Sequence, residues 1–322
     1  MSLLIELDDT VIDNGKVVIT SPIVNKKLSS YSQDPYILDY TFTLNGDYDN
    51  IPYIDKTVVF TSLIEGGNYA HFLTLTLPSL IEFILKERSY DLIYSATSSV
   101  FANDVYKALN IQHKIISAPT FRAKKVICFQ ASTEFCWPNE NHILKKTFDF
   151  LRSKFITTNT QHDKCVYIRR CTENSDDKFI LNESELLDIL PEHNIFDAKT
   201  FDAKGYTLAQ QAQLFYEADI IIGPFGASLT NTMFCKPGTF ILEFRHKSDL
   251  DQEWYNKIYR NTPGLKHCVA YADAIAPSNY NREKRCDFNV DTDKVKQILS
   301  DLPIHSNYVD IFSRDDVLSQ MQ

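Results

Sequence analysis

The chain has 322 residues, 44% hydrophobic and 23% charged, which is enough apolar content for a packed core and, by length, roughly two domains. A net charge of -9 and a pI near 5.4 argue against a general nucleic-acid binder, yet leave room for a small anionic ligand held by a few local cations. The seven cysteines are odd in number and never spaced Cys-x-x-Cys, which favours a reducing compartment over a disulfide framework.

The N-terminal stretch MSLLIELDDTVIDNGK lacks a basic n-region and is a poor signal peptide. No apolar run approaches the roughly 20 residues a membrane span needs. The expectation is therefore a cytoplasmic protein with at most peripheral membrane contact. Lys16-Val17-Val18-Ile19-Thr20 and Thr57-Val58-Val59-Phe60-Thr61 read as strands. A glycine loop, Glu65-Gly66-Gly67-Asn68, leads into a helix over 69–86 that Pro78 should kink. Strands over 91–95, 114–116 and 125–129 alternate with a helix over 99–109, the pattern of a parallel sheet with helices on its faces. A connecting helix follows over 141–155, then a polar boundary near 157–163.

The second half opens on the strand Cys165-Val166-Tyr167-Ile168-Arg169-Arg170. Asn182 should cap a helix running through Leu190. A strand is expected over 195–198, a helix over 207–217, and a strand over 219–222 that ends in GPFGASLTN, residues 223–231. A short helix over 228–235, a strand over 239–244 and a final helix over 291–299 complete the series.

Ligands of open α/β sheets sit beyond the carboxyl ends of the strands. Three such ends carry polar groups: Arg169-Arg170, the GPFGAS turn, and Glu243-Phe244-Arg245-His246-Lys247. If the strands are parallel neighbours, these ends share one crevice. Gly223 and Gly226 let a ligand approach the backbone, and the following helix start offers free N–H groups and a positive dipole end. Arg169, Arg170 and Lys178 would neutralise a phosphate or diphosphate, and Glu243 would accept hydrogen bonds from vicinal hydroxyls such as those of a ribose. The same residues are also explained by ordinary turn chemistry, surface ion pairs and an edge cap. In the first half, His71 at a helix entrance and Glu65 are candidate general bases, with helix capping as the alternative for His71. Metal chemistry finds no support: His-x-x-x-His is absent, and Asp47-x-Asp49 and Asp291-x-Asp293 read as solvated loops.

Taken in order, these segments resemble glycosyltransferase family 61. The matching residues are Asn68, His71, Phe72, Leu73, Leu77 and Pro78; Tyr167-Ile168-Arg169-Arg170; Lys178 and Asn182-Glu183; Gln211 before Leu214-Phe215; Gly223 to Asn231; and Phe234, Pro237-Gly238 and Glu243. The resemblance implies an α/β chain of GT-B type, two Rossmann-like domains facing across a cleft. The expected bounds are 1–156 for the acceptor side and 157–322 for the nucleotide-sugar side, with a C-terminal tail able to return to the first domain. It implies inverting, metal-independent transfer from a nucleotide-sugar donor to a glycan or lipid-linked glycan acceptor, with no cofactor, as in surface polysaccharide biosynthesis. Donor-binding residues would be Arg169, Arg170, Lys178, Gly226, Ala227, Ser228, Asn231 and Glu243. His71 or Glu65 would supply the base, and Asn68 would lie on the acceptor side. One departure stands out: the family's usual histidine in Gly-Pro-His-Gly-Ala is Phe225 here. That leaves a shifted donor, a compensating residue such as His246, or an inactive homologue. A pyruvyl transferase or nucleotide-sugar epimerase on a similar fold, or a binding subunit of a glycan assembly complex, are the competing readings.

Overall fold

A computed structural model of the chain describes residues 3–13, 16–19, 40–42, 50–61, 68–86, 89–95, 99–116, 120–130, 142–157, 164–170, 180–193, 199–201, 205–246, 254–272, 274–277 and 286–301. The chain divides into two compact units, Met1–Lys154 and Phe155–Gln322. Among the described residues, no helix is long and apolar enough to cross a membrane.

The first unit is built on a seven-stranded sheet. Its strands are β1 (Leu3–Asp13), β2 (Lys16–Ile19), β3 (Tyr40–Phe42), β4 (Tyr53–Phe60), β5 (Leu92–Tyr94), β6 (Ile115–Ile116) and β7 (Thr120–Gln130), in the spatial order β3-β2-β1-β7-β4-β5-β6. β4, β5, β6 and β7 run parallel, as the alternating pattern predicts. The sheet as a whole is mixed, because β1 lies antiparallel to both β2 and β7. The short connection between β1 and β2 leaves room only for a hairpin, and a hairpin is antiparallel. The core on this sheet gathers Ile12, Val58, Phe60, Tyr94, Phe121, Val126 and Cys128.

The second unit carries a five-stranded, wholly parallel sheet. Its strands are β8 (Lys164–Ile168), β9 (Lys199–Phe201), β10 (Ala218–Pro224), β11 (Phe240–His246) and β12 (Lys266–Ala272), in the order β12-β11-β10-β8-β9. The central strands hold the apolar stretches Ile220–Ile222 and Phe240–Leu242, as strands covered on both faces should, with Glu243 and Arg245 as buried charges on β11. Helix Leu208–Glu217 starts at a full capping box, with the Thr207 hydroxyl accepting from the Gln210 N–H and the Gln210 side chain accepting from the Thr207 N–H. The strand expected over 195–198 falls outside the described residues, and β12 was not foreseen.

Asn182 departs from its expected role. It stands at the start of helix Glu183–Ile189, but its side chain makes no capping bond. Instead its Nδ2 donates to the Val290 carbonyl at 2.9 Å and its Oδ1 accepts from the Val290 N–H at 2.9 Å. The amide thus imitates a backbone pairing and ties the segment after strand Cys286–Phe288 to the helix start, next to the Ile180–Phe288 bridge. Asp291, read as a solvated loop acid, caps helix Thr292–Ser300 by accepting from the Lys294 N–H at 3.0 Å. Asp47 and Asp49 lie outside the described residues.

Replacing Asn182 with Ala strands both polar groups of Val290. Urea unfolding should show a loss of about 1–3 kcal/mol, the cost of leaving partly buried polar groups unmade. A loss below about 0.5 kcal/mol would mean that solvent replaces the amide without penalty.

Candidate functional site

The three polar strand ends are neighbours. β10 lies between β8 and β11, with Ile222 opposite Tyr167 and Gly223 opposite Glu243. Gly223 has to be glycine because a Cβ there would stand 2.6 Å from the Ile168 Cβ. Gly226 is held open for a different reason: its backbone is extended, and a Cβ would overlap the Arg170 guanidinium. Arg170 lies across the turn and donates through Nη2 to the Phe225 carbonyl.

Beyond Gly226 the chain enters the short helix expected there, a 3-10 helix over Ala227–Phe234. The N–H groups of Ala227 and Ser228 precede its first bond, Leu229 N–H to the Gly226 carbonyl at 2.9 Å, so they have no partner within the helix. Both residues are half-buried. Asn231 is different: it is fully buried, and its Nδ2 donates to Gln211 Oε1 at 3.0 Å. The Gln211–Asn231 pair fastens helix Leu208–Glu217 to the 3-10 helix, and Asn231 faces the interior rather than an opening at the strand ends.

The two arginines part company. Arg170 goes to the turn, whereas Arg169 turns to Glu183, donating to Oε2 through Nε at 2.8 Å and Nη2 at 2.5 Å. The buried Tyr167 hydroxyl donates to the other carboxylate oxygen at 3.0 Å. Lys178 lies outside the described residues.

Glu243 is fully buried, and its oxygens are occupied. Oε1 accepts from Arg245 Nε at 2.5 Å; Oε2 accepts from Arg245 Nη2 at 3.3 Å, the Tyr259 hydroxyl at 3.0 Å and His267 Nε2 at 2.9 Å. This network replaces the expected role as a ribose acceptor, since a carboxylate with all these donors and no exposure has nothing left for a ligand. Burial pushes the Glu243 pKa up, but the Arg245 charge and the His267 hydrogen bond outweigh it and bring it down to about 2. Acceptor-only Glu243 requires His267 to carry its proton on Nε2. The His267 ring packs on Tyr259 with centroids 4.0 Å apart.

Phe225 belongs to the same construction. Its ring lies over the Arg245 guanidinium, 5.2 Å from centroid to Cζ, and its N–H donates to the Phe244 carbonyl at 2.8 Å. The ring thus covers a buried cation. Tyr259, on helix Trp254–Arg260, and His267, on β12, were missed by the sequence reading; for β12 the available signal was the alternation in Lys266-His267-Cys268-Val269-Ala270-Tyr271-Ala272. The side chain of His246, the expected substitute for the missing histidine, lies outside the described residues.

In the first unit, Asn68 serves as a helix cap, its Oδ1 accepting from the Ala70 N–H at 2.9 Å and the His71 N–H at 3.3 Å. His71 is half-buried at the end of the segment Tyr69–His71, in the first helix after β4 in the chain. Tyr69 and Phe72 pack against Phe101, with centroids 5.1 and 5.5 Å away, which holds this entrance in place. The helix then passes through a π-helical stretch, Phe72–Thr76, before Leu77–Leu85. Pro78 accordingly follows a widened turn instead of breaking the helix. Glu65 lies outside the described residues. Among the described residues, no cluster of three His, Cys, Asp or Glu side chains could hold a metal ion.

A parallel sheet whose carboxyl edge carries a glycine turn under an arginine defines an α/β protein with a polar turn at its strand ends, the place where ligands of such sheets sit. Residues 69–242 match the profile of the family described as Glycosyltransferase 61, and the chain, matched over more than half its length, belongs to that family. The match supports a transferase and runs from the His71 helix entrance into β11. No curated protein matches the chain at a significant level.

The buried network sets a pH dependence. Because the folded-state pKa of Glu243 is depressed, its stabilisation is complete above the ordinary carboxylate value of 4.5 and is lost as pH falls toward about 2. Glu243→Gln should destabilise the protein at neutral pH by about 3 kcal/mol, by leaving Arg245 buried without its counter-charge. Denaturant unfolding across a pH series should show that gap narrowing below pH 4.5. A gap independent of pH would contradict an ionised Glu243.

Proposed function

We propose that the protein is an inverting, metal-independent glycosyltransferase that moves a sugar from a nucleotide-sugar donor to a glycan hydroxyl in surface polysaccharide assembly. The observation that carries this reading is the Arg170 guanidinium lying across Gly226 at the start of the 3-10 helix, within a chain of family 61. A cation beside the N–H groups of Ala227 and Ser228 suits a diphosphate, and it supplies the charge stabilisation that a metal ion provides in other transferases. The GT-B arrangement and the cytoplasmic location expected from the sequence belong to the same proposal.

In this reading a base, His71, takes the proton of the acceptor hydroxyl. The hydroxyl oxygen attacks the anomeric carbon as the bond to the nucleotide diphosphate breaks, and configuration inverts. Arg170, Arg169 and the turn amides stabilise the negative charge that grows on the departing diphosphate. Phe225 favours retained activity over a dead homologue, because its ring and backbone keep the turn anchored on Arg245 and Phe244.

A panel of nucleotide sugars followed by thermal unfolding identifies the donor, since a ligand selective for the native state raises stability. Turnover with that donor should fall about 100-fold in Arg170→Ala. Gly226→Ala should fall in the same direction, because the added methyl displaces the Arg170 guanidinium. Full activity in both variants would remove the strand-end site from the reaction. Binding without transfer or hydrolysis of any donor would point to a binding subunit.

A further inference from the structure

We propose that Glu183 is a positioning residue for the donor diphosphate, holding Arg169 so that the free edge of its guanidinium faces the ligand. This inference rests on the donor reading above. Arg169 spends one edge of its guanidinium on Glu183, with Nε and Nη2 both on Oε2 at 2.8 and 2.5 Å. Its Nη1 makes no hydrogen bond among the described residues, and the Arg169 side chain is 53% exposed. The guanidinium is therefore gripped on one side and open on the other.

The pair is not an ordinary surface ion pair. Glu183 is 22% exposed, and its second oxygen is held by the hydroxyl of Tyr167, a buried residue of β8 two positions before Arg169. Burial and the Glu183 charge raise the Tyr167 pKa, so the phenol stays protonated and donates. Glu183 is itself anchored: it follows Asn182, which is clamped to the Val290 backbone by two hydrogen bonds. A carboxylate held this rigidly fixes the direction of an arginine that would otherwise sample many rotamers. An acid beside an anion site lowers affinity by charge alone. Its presence is explained if orientation outweighs that repulsion, and the two effects have opposite signs on removal of the charge.

The test is calorimetric titration of the full chain with UDP, GDP, CDP and ADP, carrying the tightest nucleotide through Glu183→Gln, Arg169→Ala and the double variant. Glu183→Gln should weaken binding about tenfold, the scale of one charge-assisted hydrogen bond. Arg169→Ala should weaken it at least as much, and the double variant should be no worse than Arg169→Ala alone, because both act through one guanidinium. With the matching nucleotide sugar, Glu183→Gln and Arg169→Ala should change KM and kcat in the same proportion, which a general loss of fold would not produce. Tighter or unchanged binding in Glu183→Gln, with Arg169→Ala impaired, overturns the inference and leaves the donor reading standing. Unchanged binding in both Arg169→Ala and Arg170→Ala, or no nucleotide bound by the native protein, overturns the donor reading and the inference with it. If Glu183→Gln melts too early to titrate, Tyr167→Phe keeps the question open to refutation: it should weaken binding about threefold, and no change overturns the proposal.

Discussion

A carboxylate with no solvent exposure cannot remain ionised on its own, and the second unit is arranged around satisfying one. Glu243 lies on β11, the strand between β10 and β12, opposite Gly223 on one side and Val269 on the other. Its partners come from three places: Arg245 from the same strand, Tyr259 from helix Trp254–Arg260, and His267 from β12. The chain after β11 must therefore fold back over the sheet before the charge is balanced. The Arg245 cation so recruited then lies beneath Phe225 and supports the glycine turn. One buried charge thus links the interior of the sheet to the geometry at its rim.

Much of this sheet was legible because its physics is local. β8, β10 and β11 carry short apolar stretches, Cys165–Ile168, Ile220–Ile222 and Phe240–Leu242, and helix Leu208–Glu217 announces itself through Thr207 and Gln210. Their parallel adjacency followed from the alternation of strands and helices. β12 was harder to read because its alternation opens on Lys266 and His267, and the partner of His267 is a carboxylate 24 residues away in sequence. The mixed character of the first sheet was hidden for a similar reason, since β1 finds its partner β7 more than a hundred residues later.

The candidate site shows where residue type misleads. Arg169 and Arg170 read as one basic cluster, but just beyond β8 they go to different partners, Glu183 and the Phe225 carbonyl. Asn231 and Glu243 read as ligand groups because they are polar and lie near a strand end; both are interior, with their hydrogen bonds spent on Gln211 and on Arg245, Tyr259 and His267. Polarity near a strand end marks a position that needs partners, and only the fold decides whether those partners are protein or ligand. Ala227 and Ser228, small and chemically plain, instead leave backbone donors at the edge.

The π-helical stretch Phe72–Thr76 has a bearing on His71. Leu77 donates to the Phe72 carbonyl, five residues back, so the helix carries more residues in that turn than an α-helix would. Every side chain before the stretch is consequently rotated about the helix axis relative to the buried face of Leu77–Leu85. In an α-helix successive residues are about 100° apart, so removing one residue from the stretch would swing His71 by about that angle while leaving the rest of the helix packed. The bulge acts as a phase offset: it lets the same helix bury Leu80 and Phe83 on the core and still aim His71 in a direction that plain α-helical periodicity does not provide.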